Sequence, residues 1–153
     1  MKLSKGVEQG TFVILMLALS KGHRPVRSAV LSEVLGVSDS YLKKIVRKLV
    51  AAGFVRSSAA PGGGFTLARP LEQITFADVM EVFEEPPSAR QAESFAFKVF
   101  GGCEQTGASV DLVSRTLGSG WEAFLGRLEK LSLAELVVEG NHREGSVDWE
   151  ERN

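Results

Sequence analysis

The stretch from residue 38 to residue 69 constrains the fold most, because one strongly amphipathic helix pattern is followed by two short strand patterns. Its apolar side chains recur at three- and four-residue spacing, as on a helix with one buried face: Leu42, Ile45, Val46, Leu49 and Val50. Four bases fall largely on the opposite face: Lys43, Lys44, Arg47 and Lys48. Ser38 is suited to cap the start of the helix and Gly53 to end it. Such a helix can be held by a core while it presents positive charge to a partner.

A β-hairpin is predicted directly after this helix. Residues 54–57 and 65–68 alternate as short strands do, and the turn between them contains Pro61 and three glycines. The turn lacks the Lys-Ser/Thr pair of a phosphate-binding loop, so it indicates a wing and not a nucleotide site. A further helix pattern at residues 27–35 ends at Gly36, shortly before the basic helix. The sequence therefore predicts a helix–turn–helix followed by a β wing.

Charge is distributed unevenly along the chain, although the overall net charge is only −1. In residues 1–69, eleven lysines and arginines stand against three acidic residues, which gives +8. Residues 70–153 hold the other seven bases and sixteen acids, which gives −9. A merely solvated basic face is the alternative, but the position of the bases on a helix before a hairpin favours a nucleic-acid-binding half.

The patterns divide the chain into three regions. Residues 1–86 are predicted to form a winged helix–turn–helix domain, residues 87–138 a linker and a dimerisation helix, and residues 139–153 a polar tail. Within the first region, two more helices are expected at about 4–19 and 75–83. The predicted fold class is mainly α, with a small β wing and a long C-terminal dimerisation helix.

An apolar stripe in the second region predicts dimerisation. Its members are three or four residues apart, close to a coiled-coil seam: Val110, Val113, Leu117, Trp121, Phe124, Leu128 and Leu131. A helix over this stripe would be roughly 33 Å long. We expect a second copy to cover Val113, Leu117, Trp121, Phe124 and Leu128; the alternative is that the stripe packs on the chain's own winged domain. Gly118, Gly120 and Gly126 weigh against an uninterrupted helix, at about 1 kcal/mol each.

The remaining residues bear on compartment and chemistry. Cys103 is the one cysteine, so no internal disulfide can form, which fits a reducing compartment. The apolar run at residues 12–19 is too short to cross a bilayer and lacks a cleavage site. We therefore expect a cytoplasmic protein without membrane contact. No Ser, His and Asp set suggests a nucleophile, and His23 and His142 lack partners at metal-ligand spacing, so we expect neither an enzyme nor a histidine metal site.

Motifs spread over most of the chain are specific in combination. They are MKLS at residue 1, SxSYL at 38, AGFV at 52, GGFxLAR at 63, ITxxDV at 74, Trp121 and LSLAEL at 131. With these motifs the chain resembles the Rrf-two or IscR-like family of bacterial winged helix–turn–helix transcription regulators. The resemblance implies a homodimer with crossed C-terminal helices, in which each winged domain reads one half of a palindromic double-stranded DNA operator. We expect this regulator to be a repressor.

The chain departs from the family pattern in two places. Many relatives carry an Arg-Gly pair at the start of the wing, where this chain has Ala59 and Ala60, so Arg56 is the nearest substitute for minor-groove contact. Iron–sulfur relatives use three cysteines, or two with His and an acid, whereas Cys103 stands alone here. A cluster needs about four protein ligands, so we expect no cofactor. An intersubunit cluster of Cys103 and Glu8, or redox sensing by Cys103, is the alternative, although Glu104 beside it should disfavour a thiolate.

The sequence thus predicts a DNA-binding regulator with a defined set of contact residues. Phosphate contacts are assigned to Lys43, Lys44, Arg47, Lys48 and Arg56, and base edges to Ser38, Ser40, Tyr41 and Lys43 or Lys44. Gly63 and Arg69 of the wing complete the set. A protein-interaction module that keeps the winged fold is the competing interpretation, and the missing wing arginine is its best support.

Overall fold

The computed structural model describes residues 3–87, 95–137 and 145–151. The helices are α1 (Lys5–Leu19), α2 (Ser28–Leu35), α3 (Asp39–Ala51), α4 (Phe76–Phe83), α5 (Phe95–Phe100) and α6 (Glu104–Leu128). The strands are β1 (Val55–Ser57) and β2 (Phe65–Leu67), and short 3-10 turns occupy Lys21–His23, Leu71–Gln73 and Leu133–Leu136. The chain divides into two compact units, Met1–Glu84 with Glu129–Asn153, and Glu85–Leu128.

The first unit is built around α1. One face of α1 is fully buried at Val7, Val13 and Ile14, and its partners are the buried faces of α2, α3 and α4. The predicted stripe of α3 is confirmed at four of its five positions, since Leu42, Ile45, Val46 and Leu49 are buried. Val50 is the exception, with 38% of its surface exposed. Burial of an apolar stripe is the main stabilising contribution for such a helix, so α3 is anchored along its length while its opposite face stays in solvent.

The ends of these helices are fixed by the residues that the sequence indicated. The Ser38 hydroxyl accepts a hydrogen bond from the backbone N–H of Tyr41 at 3.3 Å, as an N-cap does. Gly36, with φ of 64°, ends α2 in the left-handed conformation that favours glycine. Thr75 and Asp78 form a capping box at the start of α4. Local capping interactions therefore fix where α2 ends and where α3 and α4 begin.

The wing is a two-stranded antiparallel hairpin. Val55 pairs with Leu67 and Ser57 with Phe65, close to the predicted strands. A side chain at Gly63 would collide with the carbonyl oxygen of Ser58, and would lie 2.7 Å from that of Ala60. Glycine is therefore required there by the turn. The predicted mainly helical fold with a small β wing is confirmed.

The second unit consists of α5 and α6. Helix α6 has 25 residues and is about 37 Å long at 1.5 Å per residue. It ends at Leu128, so the predicted stripe leaves the helix before Leu131. Gly118, Gly120 and Gly126 are accommodated inside it, and a Cβ at each would meet open space. Among the helices of the described ranges, none is both long and apolar enough to cross a membrane.

Candidate nucleic-acid interface

The solvent face of α3 carries the best-placed set of polar and basic side chains. Ser40, Tyr41, Lys44 and Arg47 are all exposed. Lys44 follows Ser40 by four residues and Tyr41 by three, and Arg47 follows Lys44 by three, so the four side chains lie on adjoining parts of one helical surface. Neither Lys44 nor Arg47 forms an ion pair with any residue in the described part of the chain. Both charges are therefore available to an external anion.

Lys43 differs from these two because it already has a partner. Its ammonium lies 2.7 Å from the Asp39 carboxylate, one helical turn away. Hydrogen bonds from Lys43 and then from Ser28 lower the pKa of Asp39 below its ordinary value. Asp39 is thus ionised at neutral pH, and its negative charge offsets that of Lys43 at the start of α3.

Lys48 is turned toward the neighbouring helix α4. Its ammonium lies 5.3 Å from the centre of the Phe83 ring and 3.5 Å from the carbonyl oxygen of Val82. The Phe83 ring in turn sits against Gly6 and Gly10 of α1, where an added Cβ would collide with it. Lys48 therefore has a packing role that the sequence did not indicate: it joins α3 to α4 through a cation–π contact.

Two predicted wing contacts also have internal partners. The Arg69 guanidinium donates to the carbonyl oxygens of Ala52 at 3.0 Å and Gly53 at 3.3 Å, and lies 5.0 Å from the Phe54 ring. It thereby satisfies carbonyl groups that the C-terminus of α3 leaves without a helical partner. Arg56 stays more available, since its one hydrogen bond to the described residues is a long one, of 3.5 Å, to the carbonyl oxygen of Ala68. The wing's basic surface is therefore centred on Arg56.

Arg27 is a base that the sequence analysis did not select. It occupies the N-cap position of α2 and is exposed. Its neighbour Val26 pairs with Phe65 of the wing, and its neighbour Ser28 begins α2, which packs on α3. Arg27 consequently lies next to the wing and at the start of the first helix of the helix–turn–helix. A long-range pairing of this kind leaves no local sequence signal.

The two residues considered for sensing lie in different units. Cys103 is exposed just before α6, and its Sγ lies 3.0 Å from the Thr106 hydroxyl. The Thr106 side chain, helped by backbone hydrogen bonds, lowers the pKa of the Cys103 thiol. This is opposite to the effect expected from Glu104. Glu8 is exposed on α1, where it lines an apolar groove of about 660 Å³ together with Phe12 and Phe76.

A winged helix–turn–helix with a cationic, solvent-facing α3 defines a DNA-binding regulator of transcription. The chain belongs to the Rrf2 family: the family model, described as an iron-dependent transcriptional regulator, matches residues 3–139.

Relatives and solved structures agree with this assignment. YffB of Lactococcus lactis, an inferred HTH-type transcriptional regulator, is 35% identical over 150 residues, 97% of this chain and 96% of YffB. The structure of T. potens IscR has a TM-score of 0.62 at 24% identity and covers 95% of this chain and 94% of its own. The oxidised form of Staphylococcus aureus CymR has a TM-score of 0.61 at 25% identity, over 92% of this chain and 99% of its own. These structures share the fold.

The family description raises the question of an iron site, which the residues of this chain do not fit. Its 153 residues contain one cysteine, and a cluster requires about four protein ligands. In the ranges that the structure describes, no group of three or more His, Cys, Asp or Glu side chains could hold a metal ion. The donor set of a single chain is therefore insufficient for an iron–sulfur cluster.

Proposed function

We propose that this regulator is a cytoplasmic homodimer that represses transcription by binding a palindromic operator, with one α3 in the major groove of each half-site. The carrying observation is the free face of α3, where Lys44 and Arg47 lack ion-pair partners among the described residues and stand beside exposed Ser40 and Tyr41. Helices with this composition can combine phosphate contacts with readout of base edges.

The proposed DNA contacts are of two kinds, to phosphates and to base edges. Arg47 and Arg56 supply phosphate contacts, which fix position and carry no sequence information. Lys44 and Tyr41 lie nearer the start of α3, and a lysine there can donate to the O6 and N7 acceptors of guanine. Ser38 is occupied as the helix cap, so its hydroxyl contributes mainly by setting the direction of α3.

Dimerisation is supported by the apolar surface of α6. Val113 is 59% exposed and Leu117 49% exposed, while Trp121 and Phe124 form a tilted ring pair with centroids 5.6 Å apart. An aromatic and aliphatic stripe left in water is unfavourable by roughly 25 cal/mol per Å². A second α6 would cover this stripe and would place two α3 helices on one duplex.

The test is selection of DNA by the full-length protein from fragments of its own genome, followed by binding measurements at several salt concentrations. We expect enrichment of a palindromic sequence and an affinity that falls steeply with salt, because each neutralised phosphate adds about 0.9 to the logarithmic slope. A protein that enriches no sequence and binds all fragments equally weakly would fit the competing protein-interaction module.

A second candidate function, thiol-based redox sensing, is favoured by the contact between Thr106 and Cys103. The lowered pKa raises the fraction of reactive thiolate at neutral pH. Operator binding before and after mild oxidation tests this function. In a redox sensor, oxidation changes the affinity for the operator, a reductant restores it, and Cys103→Ser abolishes the change. An intersubunit site involving Glu8 would instead show iron-dependent visible absorbance.

A further inference from the structure

The C-terminal residues 145–151, called the strap here, are bound to the winged unit along the end of α1. Val147 forms two backbone hydrogen bonds of 2.8 Å, donating to the carbonyl of Leu19 and accepting from the N–H of Lys21. Trp149 is 8% exposed, and its indole N–H donates to the carbonyl of Met16 at 2.9 Å. The strap is therefore packed against the winged unit, with Trp149 buried, whereas the sequence indicated only a polar tail.

The strap is also acidic, and it faces basic residues of the winged unit. Its sequence GSVDWEE contains three acids and no base. Asp148 lies 3.7 Å from Lys21, and the Glu150 carboxylate accepts a hydrogen bond of 2.8 Å from the Arg27 guanidinium. Both side chains of the Arg27–Glu150 pair are more than 60% exposed. Solvent and solutes can therefore reach this ion pair.

Arg27 lies next to the wing, at the start of α2. Val26 and Phe65 exchange two backbone hydrogen bonds of 2.9 Å, which ties the start of α2 to β2 of the wing. Arg27 also precedes α2, the helix that packs on α3. Arg27 thus stands at the start of the first helix of the helix–turn–helix, and that helix crosses the phosphate backbone when the second helix enters the major groove.

We propose that Arg27 is a phosphate-binding residue of the DNA interface and that Glu150 is its intramolecular competitor. The proposal rests on the DNA-binding function proposed above. A guanidinium binds carboxylate and phosphate oxygens through the same N–H donors, so one Arg27 cannot hold both fully. Exposed ion pairs contribute little to stability, which allows a phosphate to displace Glu150. The strap thereby weakens DNA binding without blocking it.

Two charge-matched variants test this competition. Glu150→Gln removes the carboxylate that faces Arg27. Glu151→Gln removes the same charge at the next residue, which is exposed and forms no ion pair within the described ranges. Full-length proteins are titrated with a mixed-sequence duplex and with a duplex selected by the wild type, at several salt concentrations. We expect Glu150→Gln to bind both duplexes about threefold more tightly than the wild type, and Arg27→Ala to lower the logarithmic salt slope by about 0.9 for each Arg27 engaged.

Arg27→Ala completes the test as a double-mutant cycle. In the Arg27→Ala background, we expect Glu150→Gln to gain no more affinity than Glu151→Gln does. Equal gains from the two glutamine variants in the wild-type background would overturn the competition while leaving the DNA-binding function intact. Absence of DNA binding by every protein, including the wild type at low salt, would overturn both. Thermal unfolding of each variant confirms that the strap change leaves the fold in place.

Discussion

Gly10→Ala is the most informative single change in the packing that supports α3. Gly10 is buried in the middle of α1, and a Cβ there would collide with the Phe83 ring, with Cζ at 2.8 Å and Cδ2 at 3.3 Å. In an open helix the substitution would stabilise by about 1 kcal/mol. Overpacking a fitted site costs about 1 to 3 kcal/mol. The collision should offset or outweigh the helix propensity, so we expect a net loss of up to about 2 kcal/mol.

Urea denaturation at fixed protein concentration measures this loss, because stability of an oligomer depends on concentration. Gly126→Ala is the matched control: a Cβ there meets nothing within 4 Å, and we expect stabilisation of up to about 1 kcal/mol. Phe83→Leu should reduce the loss from Gly10→Ala, since the smaller side chain leaves room. A Gly10→Ala protein that is as stable as Gly126→Ala would refute the reasoning about the Phe83 seat.

Three further outcomes are expected. Lys48→Ala should lower the free energy of unfolding by about 0.5 to 1 kcal/mol, as loss of an exposed cation–π contact does. The salt slope of DNA binding should stay unchanged. A slope lower by about 0.9 would show instead that Lys48 contacts a phosphate. Trp121→Ala should yield monomers in sedimentation and weaker DNA binding, and an unchanged dimer would place the interface elsewhere. Cys103 should be alkylated faster at neutral pH than in Thr106→Val, because the Thr106 hydroxyl lowers its pKa; equal rates would contradict this.

Local patterns predicted the winged unit well, because its elements depend on neighbouring residues. The apolar periodicity of α3 is visible within thirteen consecutive residues, Ser38 caps the helix through Tyr41, and Gly63 is required by the nearby carbonyls of Ser58 and Ala60. Contacts between side chains and residues far away in the sequence were not predicted. Lys48 contacts a residue 34 positions later, and Trp149 bonds to one 133 positions earlier.

No periodicity encodes such pairings, so the sequence grouped every base of α3 as a candidate DNA contact. The structure separates them by partner. Lys43 is paired with Asp39 and Lys48 with Phe83, whereas Lys44 and Arg47 have no ion-pair partner among the residues that the structure describes. It also brings Arg27 next to the wing, a position that depends on the pairing of Val26 with Phe65.

Operator affinity of variants that each lose one lysine or arginine tests most directly whether the free face of α3 reads DNA. Lys44→Ala, Arg47→Ala and the control Lys130→Ala each remove one exposed base, the last from outside the helix–turn–helix. We expect Arg47→Ala to weaken binding to all duplexes alike and to lower the salt slope by about 0.9 per contact. Lys44→Ala should reduce the preference for the operator by about 1 to 3 kcal/mol per base pair that it reads. Binding by both variants that equals that of Lys130→Ala would contradict the claim.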